Sequence, residues 1–282
     1  MQEKEITLKQ KKIFYRSIGE GPVVVLLHGV PFDGTLWRNQ FGAFPGFKLI
    51  IPDLPGSGRS QMIDDMSIEG MAECVKDIIV HETASLFFKS GEPHSVILIA
   101  HSMGGYIALA LAQKHPELLN GLGLFHSTAY ADNEEKKEGR KKTIQLLKEK
   151  GAAEFAKNSV PSLFGPVFKE QNPAAVEEQI SYSCNFSAET LVKYQETMSQ
   201  RKDRTEVLRT ATVPVLFILG KYDAVVPLKD GMEQCSLADV NYIHVLENSG
   251  HVGMMEEPIE TNTVLLNYLT NTCRYAPGNA YT

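Results

Sequence analysis

Short apolar runs alternate with segments of helical spacing along most of the chain. The runs of strand length cover residues 6–8, 13–17, 23–27, 49–52, 96–100, 122–125, 215–219 and 242–246, and helical spacing marks 68–88, 103–115 and 259–269. The later runs are apolar on nearly every residue, as expected of strands that helices cover on both faces. This order predicts an α/β fold in which a mostly parallel eight-stranded sheet begins with a hairpin and carries helices on both faces.

One interval lacks any run of strand length. Between residues 129 and 205, Glu, Lys, Gln and Ala predominate, and apolar residues such as Ile144, Leu147 and Phe155 fall at helical spacing. The charges are mixed in sign, which is typical of solvated helix faces. We therefore expect a helical cap at 129–205, inserted after the sixth strand, and a core domain formed by 1–128 and 206–282.

Composition narrows the class of protein. The 282 residues are 43% hydrophobic and 22% charged, with a formal net charge of −6. No basic tract stands clear of acidic neighbours, which argues against a nucleic-acid partner. We find neither the apolar stretch of a signal peptide nor a run of the roughly 18 apolar residues that a membrane span requires. We therefore expect a cytoplasmic protein.

The cysteines and histidines do not follow a metal-binding pattern. Cysteines stand at positions 74, 184, 235 and 273, far apart and without a CxxC pair, so free thiols are predicted. His81-Glu82 begins like the helix of a zinc protease, but a serine at position 85 replaces the second ligand. We expect no metal and no cofactor. A small-molecule substrate is the partner that the sequence indicates, and the oligomeric state stays open.

The strongest local signal surrounds Ser102. Residues 97–105 read Ile-Leu-Ile-Ala-His-Ser-Met-Gly-Gly, a buried strand followed by a serine among small residues and then an Ala- and Leu-rich helix. This matches G-x-S-x-G, with Ala100 in place of the first glycine, in the strand–turn–helix context that the motif requires. The tight turn presents the hydroxyl above the sheet, at the positive end of the helix. We predict that Ser102 is a nucleophile rather than only a helix N-cap.

A serine nucleophile needs a base and an acid that orients the base. His251 is the best of eight histidines, because it follows the last predicted strand in a loop containing glycine. Asp223 follows the buried run 215–219 and reaches the same edge of the sheet. We expect it to hold the tautomer of His251 and to stabilise the imidazolium. Asp132 and Glu247 are weaker alternatives for the acid.

Acyl transfer also requires N–H donors directed at the developing oxyanion. The N–H of Met103, the first residue of the predicted helix, is one candidate. The loop that follows the run 23–27 reads His-Gly-Val-Pro, and we expect the N–H of Val30 within it to be the second. His28 in the same loop is better explained as loop support than as a base.

In combination, these motifs resemble those of the α/β-hydrolase superfamily, specifically its capped serine esterase and epoxide-hydrolase-like branch. The resemblance covers nearly the whole chain: H-G-x-P at 28–31, Trp37, Pro-Asp-Leu-Pro-Gly-Ser-Gly-Arg-Ser at 52–60, the turn at Ser102, G-x-x-D ending at Asp223, and Gly-His at 250–251. It implies an α/β-hydrolase fold with a Ser-Asp-His triad. In this family 52–60 is a structural loop, so its glycines do not indicate a dinucleotide site.

The residues narrow the chemistry within that family. Epoxide hydrolases and haloalkane dehalogenases of this fold carry Asp where this chain has Ser102. Relatives that cleave carbon–carbon bonds use Ser, but their oxyanion loop usually contains more glycine. The sequence therefore predicts a carboxylesterase-like serine hydrolase that cleaves a small, mainly apolar ester, thioester or lactone through an acyl-enzyme on Ser102. A triad-retaining small-molecule receptor, and a carbon–carbon hydrolase or acyltransferase, are the alternatives.

The predicted cap contains more aromatic side chains than small solvated helices need. Some of these should line an apolar acyl pocket together with side chains of the core. The substrate-binding residues that we expect are Phe32, Trp37, His126, Phe164, Phe168 and Val225.

Overall fold

A computed structural model of the chain describes residues 1–90 and 95–274. Eight strands form one sheet in the order β1-β2-β4-β3-β5-β6-β7-β8. The strands are β1 (Gln2–Leu8), β2 (Lys11–Ile18), β3 (Val23–Leu27), β4 (Lys48–Pro52), β5 (Val96–His101), β6 (Leu119–Phe125), β7 (Val215–Gly220) and β8 (Asn241–Leu246). β2 pairs antiparallel with both β1 and β4, and the other pairings are parallel. The predicted mostly parallel sheet that begins with a hairpin is confirmed.

Ten α-helices connect or follow the strands in the described part of the chain. They are α1 (Ile68–Ser90), α2 (Met103–Lys114), α3 (Glu134–Ser159), α4 (Pro166–Gln171), α5 (Pro173–Ser183), α6 (Ala188–Ser199), α7 (Thr205–Arg209), α8 (Leu228–Gln234), α9 (Gly253–Glu256) and α10 (Pro258–Arg274). Within the described ranges, none of the helices combines the length and apolar character that a membrane crossing requires.

Two strands begin three or more residues earlier than the apolar pattern predicts. β1 begins at Gln2 rather than at residue 6, because it is an edge strand whose polar residues alternate with the half-buried Ile6 and Leu8. β6 begins at Leu119 rather than at residue 122, because Asn120 and Gly121 interrupt the apolar run. In both strands, backbone pairing continues past the residues that a hydrophobic pattern can mark.

The sheet separates two hydrophobic clusters, as the period of two along a strand requires. On β3, Val25 and Leu27 belong to the cluster that contains residues of α1 and α2. Val24 and Leu26 belong to the opposite cluster, which contains residues of α10 and the fully buried Trp37. Each fully buried aliphatic side chain of this kind contributes about 1.5–3 kcal/mol to folding. Burial on both faces therefore holds the central strands and the loops at their ends in place.

The interval between β6 and β7 is helical, as predicted. It contains α3 to α7 and, within the fully described residues 126–214, no strand. α3 bends at Gly151, whose φ of 79° is outside the helical region. The buried carboxylate of Asp132 pairs with Arg140 of α3 and with Arg201 beyond α6, which ties both helices to the segment leaving β6. The structure thus places a helical insertion after the sixth strand, in accordance with the predicted fold class.

Candidate active site

Three loops at the carboxyl ends of neighbouring parallel strands bring the predicted catalytic residues together. Ser102 directly follows β5, Asp223 lies three residues after β7, and His251 lies five residues after β8. In open parallel sheets, ligand sites are usually found at this edge.

The turn at Ser102 has the geometry that the motif predicts. The serine has a φ of 52°, in the left-handed region that side chains other than glycine rarely adopt. The Ser102 N–H donates to the Phe125 carbonyl at 3.1 Å, and the Ser102 carbonyl accepts from Ser127 Oγ at 2.8 Å. A Cβ on Gly104 would lie 2.7 Å from the His28 carbonyl oxygen, so this position requires a glycine. Packing on both sides therefore maintains the strained backbone that exposes the hydroxyl.

Ser102, His251 and Asp223 form a continuous chain of hydrogen bonds. His251 Nε2 lies 2.9 Å from Ser102 Oγ, and His251 Nδ1 lies 2.8 Å from Asp223 Oδ2. Because an ionised carboxylate only accepts, Nδ1 carries the proton and Nε2 is free to accept the serine proton. These distances are within the range that proton transfer requires.

The Asp223 carboxylate is buried but well supplied with donors. Its Oδ1 accepts the N–H groups of Val225 and Val226 at 2.8 and 2.9 Å. Its Oδ2 faces two imidazoles, that of His251 at 2.8 Å and that of His126 at 3.3 Å. Desolvation by burial opposes ionisation, but the two neighbouring imidazoles outweigh it and hold the pKa of Asp223 well below its usual range. The acid is therefore ionised at neutral pH.

The predicted oxyanion loop packs directly against Ser102. A Cβ on Gly29 would lie 2.7 Å from the Cβ of Ser102, so the loop reaches the serine only because residue 29 has no side chain. Among the described residues, the N–H groups of Val30 and Met103 have no hydrogen-bond partner. Two free donors beside the serine are what stabilisation of a tetrahedral oxyanion requires.

The His28 side chain supports the oxyanion loop through contacts of both ring nitrogens. Its ring is fully buried, with Nδ1 at 2.8 Å from the Gly29 carbonyl oxygen and Nε2 accepting the Leu54 N–H at 2.8 Å. Desolvation by burial lowers the pKa of His28, so the neutral ring donates through Nδ1. The histidine thus connects the oxyanion loop to the segment after β4.

Helices of the insertion contact the site on two sides. The Leu163 carbonyl accepts the His251 N–H at 2.6 Å. One carboxylate oxygen of Glu256 accepts the Gly165 N–H at 2.6 Å, and the other accepts the N–H groups on either side of His251. Burial raises the pKa of Glu256 to about 7. Ser102 itself is only 7% exposed, so little of the serine is open to solvent.

On the other side, α5 is bonded to the oxyanion loop. Gln179 Nε2 and Ser183 Oγ each lie 3.4 Å from the Pro31 carbonyl oxygen. Tyr182 donates its hydroxyl proton to Asp33, and desolvation together with this bond raises the pKa of the phenol. The position of the loop therefore depends on the insertion as well as on the sheet.

The expected substrate-binding residues occupy different environments. Phe32 is buried with its ring edge against His101, and Phe164 stacks on Phe168 with centroids 5.3 Å apart. Phe164 belongs to the segment that contacts the loop of His251. The side chain of Val225, next but one to Asp223, is 37% exposed.

Two of the expected substrate contacts do not fit the structure. Trp37 has no exposed surface and packs edge-on against Phe125 in the core. His126 also has no exposed surface, and it lies behind Asp223 rather than on a pocket wall. Trp37 lies within a short 3-10 helix, Gly34–Gln40, and His126 directly follows β6, but neither side chain presents a surface that a substrate could reach.

Neither of the two alternative acids, Asp132 and Glu247, pairs with His251. Asp132 is engaged with two arginines, and Glu247 is exposed and paired with Lys221. Glu256, which holds the His251 loop to the insertion, was not predicted. Its contact with Gly165 crosses 91 residues of sequence, and no local pattern marks such a contact. In the described residues, no group of three or more His, Cys, Asp or Glu side chains could hold a metal ion.

Comparison with known proteins assigns the family. The profile of the Alpha/beta hydrolase family matches residues 24–264. The chain therefore belongs to the α/β-hydrolase family, and the predicted resemblance is confirmed.

Individual relatives indicate the kind of hydrolase. A segment of 114 residues is 36% identical to a pimeloyl-[acyl-carrier protein] methyl ester esterase of Yersinia enterocolitica, covering 40% of this chain and only 39% of that protein. A 2-hydroxy-6-oxo-6-(2'-aminophenyl)hexa-2,4-dienoic acid hydrolase of Metapseudomonas resinovorans is 24% identical, covering 91% of this chain and 87% of that one. The solved structure of a thermophilic esterase from Thermogutta terrifontis has a TM-score of 0.85 and 27% identity, covering 96% of this chain and 99% of that one. The chain is thus similar to hydrolases of the family, esterases among them.

Proposed function

We propose that this protein hydrolyses a small, mainly apolar carboxylic ester through an acyl-enzyme formed on Ser102. The observation that carries the proposal is the unbroken relay from Ser102 Oγ through His251 to Asp223, with separations of 2.9 and 2.8 Å. The N–H groups of Val30 and Met103, which lie beside the serine and have no partner in the part of the chain that the structure describes, support it further. Thioesters and lactones present the same carbonyl chemistry and belong to the proposed range.

The geometry accounts for each proton and bond of this reaction. Ser102 Oγ attacks the ester carbonyl carbon while its proton passes to His251 Nε2. Asp223 stabilises the imidazolium, and the N–H groups of Val30 and Met103 bind the oxyanion. Collapse breaks the bond to the alkoxy group, which leaves as the alcohol with the proton of His251. Water then attacks the acyl-enzyme with His251 as base, releasing the carboxylic acid and restoring the serine.

The helical insertion is proposed to act as a lid that selects the acyl group. Within residues 129–205, Phe164 and Phe168 stack on each other, and the same segment contacts the loop of His251. Phe32 approaches from the core side, at the end of the oxyanion loop. Apolar walls with few polar anchors favour an apolar acyl chain over a charged one.

An active-site label and a panel of esters test the proposal. A fluorophosphonate is expected to label wild-type protein on Ser102 and to leave Ser102→Ala unlabelled. Aryl esters of increasing acyl length are expected to turn over many times on the wild type only. Equal labelling of the two proteins would remove Ser102 as the nucleophile.

Product analysis separates the alternatives. A small-molecule receptor would retain the ligand and turn it over slowly, whereas an esterase releases acid and alcohol in repeated cycles. The relative from Metapseudomonas resinovorans is named for a dienoic acid substrate, which makes a vinylogous diketone the natural probe for carbon–carbon cleavage. Transfer of the acyl group to an added alcohol would indicate an acyltransferase.

A further inference from the structure

His126 is a buried histidine for which ester hydrolysis provides no direct task. It follows β6 with a φ of 48°, and its N–H donates to the Ile218 carbonyl at 2.8 Å. The left-handed backbone turns the ring back under the site instead of onward along the strand direction. There it has no exposed surface, and it lies between Asp223 and the start of α9.

The two ring nitrogens of His126 contact two different parts of the proposed triad. Nε2 accepts the N–H of Gly253 at 3.1 Å, two residues beyond His251. Nδ1 lies 3.3 Å from Asp223 Oδ2, an ion-pair distance that falls short of hydrogen-bond geometry, and it has no hydrogen-bond partner among the described residues. Since a backbone N–H can only donate, Nε2 carries no proton. The neutral ring must then hold its proton on Nδ1, facing the carboxylate.

From these contacts we infer that His126 is a positioning residue, which directs its Nδ1–H at the Asp223 carboxylate while it holds the His251 segment through Gly253. This inference rests on the proposed function, because it assigns the ring a task only if Asp223 and His251 act in catalysis. One rigid imidazole thereby joins the acid to the loop that carries the base. Asp223 Oδ2 thus faces two ring N–H groups, and its charge toward His251 is reduced accordingly.

The surroundings of His126 keep its ring neutral. The titratable or charged groups around it are Asp223, His251, His101 and Glu257. Desolvation by burial lowers the pKa of His126, although the two acids oppose that change. A neutral donor supports the carboxylate without adding a cation that would compete with the imidazolium of His251.

Two substitutions of His126, each compatible with a positive φ, distinguish the effect of the Nδ1–H group from that of the rest of the ring. Asn and Gly both adopt the left-handed region readily, so neither His126→Asn nor His126→Gly adds backbone strain. The amide nitrogen of Asn occupies the place of Nδ1 and can still direct an N–H at Asp223, whereas Gly has no donor. Substitution of His244, which pairs with Glu260 at the edge of the sheet, by Asn serves as the control for loss of a histidine.

The proposal predicts that loss of the His126 ring lowers kcat without changing KM, and that it shifts the pH profile of kcat/KM. For His126→Gly we expect kcat to fall about ten- to hundredfold with KM unchanged, the effect of losing one N–H group directed at a charged group. The acid limb of kcat/KM should move up by about half a pH unit, because Oδ2 then interacts with His251 alone. His126→Asn should recover most of the lost kcat and the wild-type acid limb, and His244→Asn should match the wild type throughout.

Unchanged kcat and acid limb in His126→Gly, or equal losses in His126→Asn and His126→Gly, would overturn the inference. A measurement on the wild type decides the matter if the glycine variant does not fold. The ¹⁵N chemical shifts of the ring, assigned by comparison with His126→Asn, should show a neutral imidazole protonated on Nδ1, and protonation on Nε2 would refute it. Failure of the wild type to react with a fluorophosphonate would instead refute the proposed function, and the tautomer of residue 126 would still be measurable.

Discussion

Replacing Asp223 by Asn is expected to reverse the direction of the hydrogen bonds in the relay. Oδ1 of Asp223 accepts two backbone N–H groups, those of Val225 and Val226, at 2.8 and 2.9 Å. The amide NH₂ of Asn cannot occupy that position, because three donors would then face one another. The NH₂ group therefore takes the position of Oδ2, which faces the single ring nitrogen of His126 at 3.3 Å instead of two backbone donors, and which lies 2.8 Å from His251 Nδ1.

The consequence falls on Ser102. An NH₂ group facing His251 Nδ1 requires that nitrogen to accept, which leaves the proton of a neutral ring on Nε2. Nε2, 2.9 Å from Ser102 Oγ, then donates to the serine and cannot take its proton. Loss of the correct tautomer lowers kcat by about 10⁴ in a triad. That factor corresponds to about 5.5 kcal/mol in the activation free energy, at about 1.4 kcal/mol for each factor of ten.

The assay is initial-rate hydrolysis of a short-chain aryl ester by Asp223→Asn, with Glu247→Gln as the matched control. Glu247 is exposed and paired with Lys221, so its substitution should leave kcat/KM at the wild-type value. Circular dichroism of both variants checks the fold. If Asp223→Asn retained kcat within tenfold of the wild type, the acid would lie elsewhere and this account of the relay would be refuted.

The same variant should reveal a pH-dependent part of stability. The pKa of Asp223 is lower in the folded protein than its ordinary value of 3.8, because the imidazoles outweigh desolvation. An acid with a lowered pKa stabilises the folded state above its unfolded pKa and loses that contribution as the pH falls. The unfolding free energy of the wild type should therefore exceed that of Asp223→Asn at pH 7, and the difference should shrink below about pH 4.

Three further changes test the oxyanion loop, the anchoring of the insertion and the acyl pocket. Gly29→Ala would place a Cβ 2.7 Å from the Cβ of the proposed nucleophile and should lower kcat by about 10² to 10³, whereas Gly42→Ala, where a Cβ meets no atom within 4 Å, should have no effect. Tyr194→Phe removes the hydroxyl that donates to a loop carbonyl at 2.6 Å, and thermal or urea unfolding should show a loss of about 1–3 kcal/mol while kcat/KM stays within about threefold. The wild-type kcat/KM should rise severalfold per acyl carbon and then fall, since each buried methylene contributes about 0.8 kcal/mol. Phe164→Ala or Phe168→Ala should shift the optimum to longer chains, and a flat profile in all three proteins would show that these rings do not select the substrate.

Much of the fold and the proposed triad could be read from local sequence. The turn at Ser102 is a strand–turn–helix motif whose small residues are needed within two positions of the serine, so its pattern is contained in nine consecutive residues. Asp223 and His251 could be placed because each follows a predicted strand, and parallel strands end at one edge of the sheet. The interruption of the strand pattern after β6 likewise indicated a helical insertion.

Tertiary structure alone decided which side chains contact one another around the carboxyl edge of the sheet. Trp37 and His126 were expected at the substrate pocket, but both are fully buried, because the direction of a side chain depends on backbone angles and packing that hydrophobic spacing does not encode. The left-handed conformation at His126 turns its ring toward Asp223, and Glu256 reaches Gly165 across 91 residues. Spacing along the chain indicates the type and order of the elements and which edge their loops share. Contacts between loops arise only when the sheet and the insertion pack, because they depend on distances of a few ångströms between residues far apart in sequence.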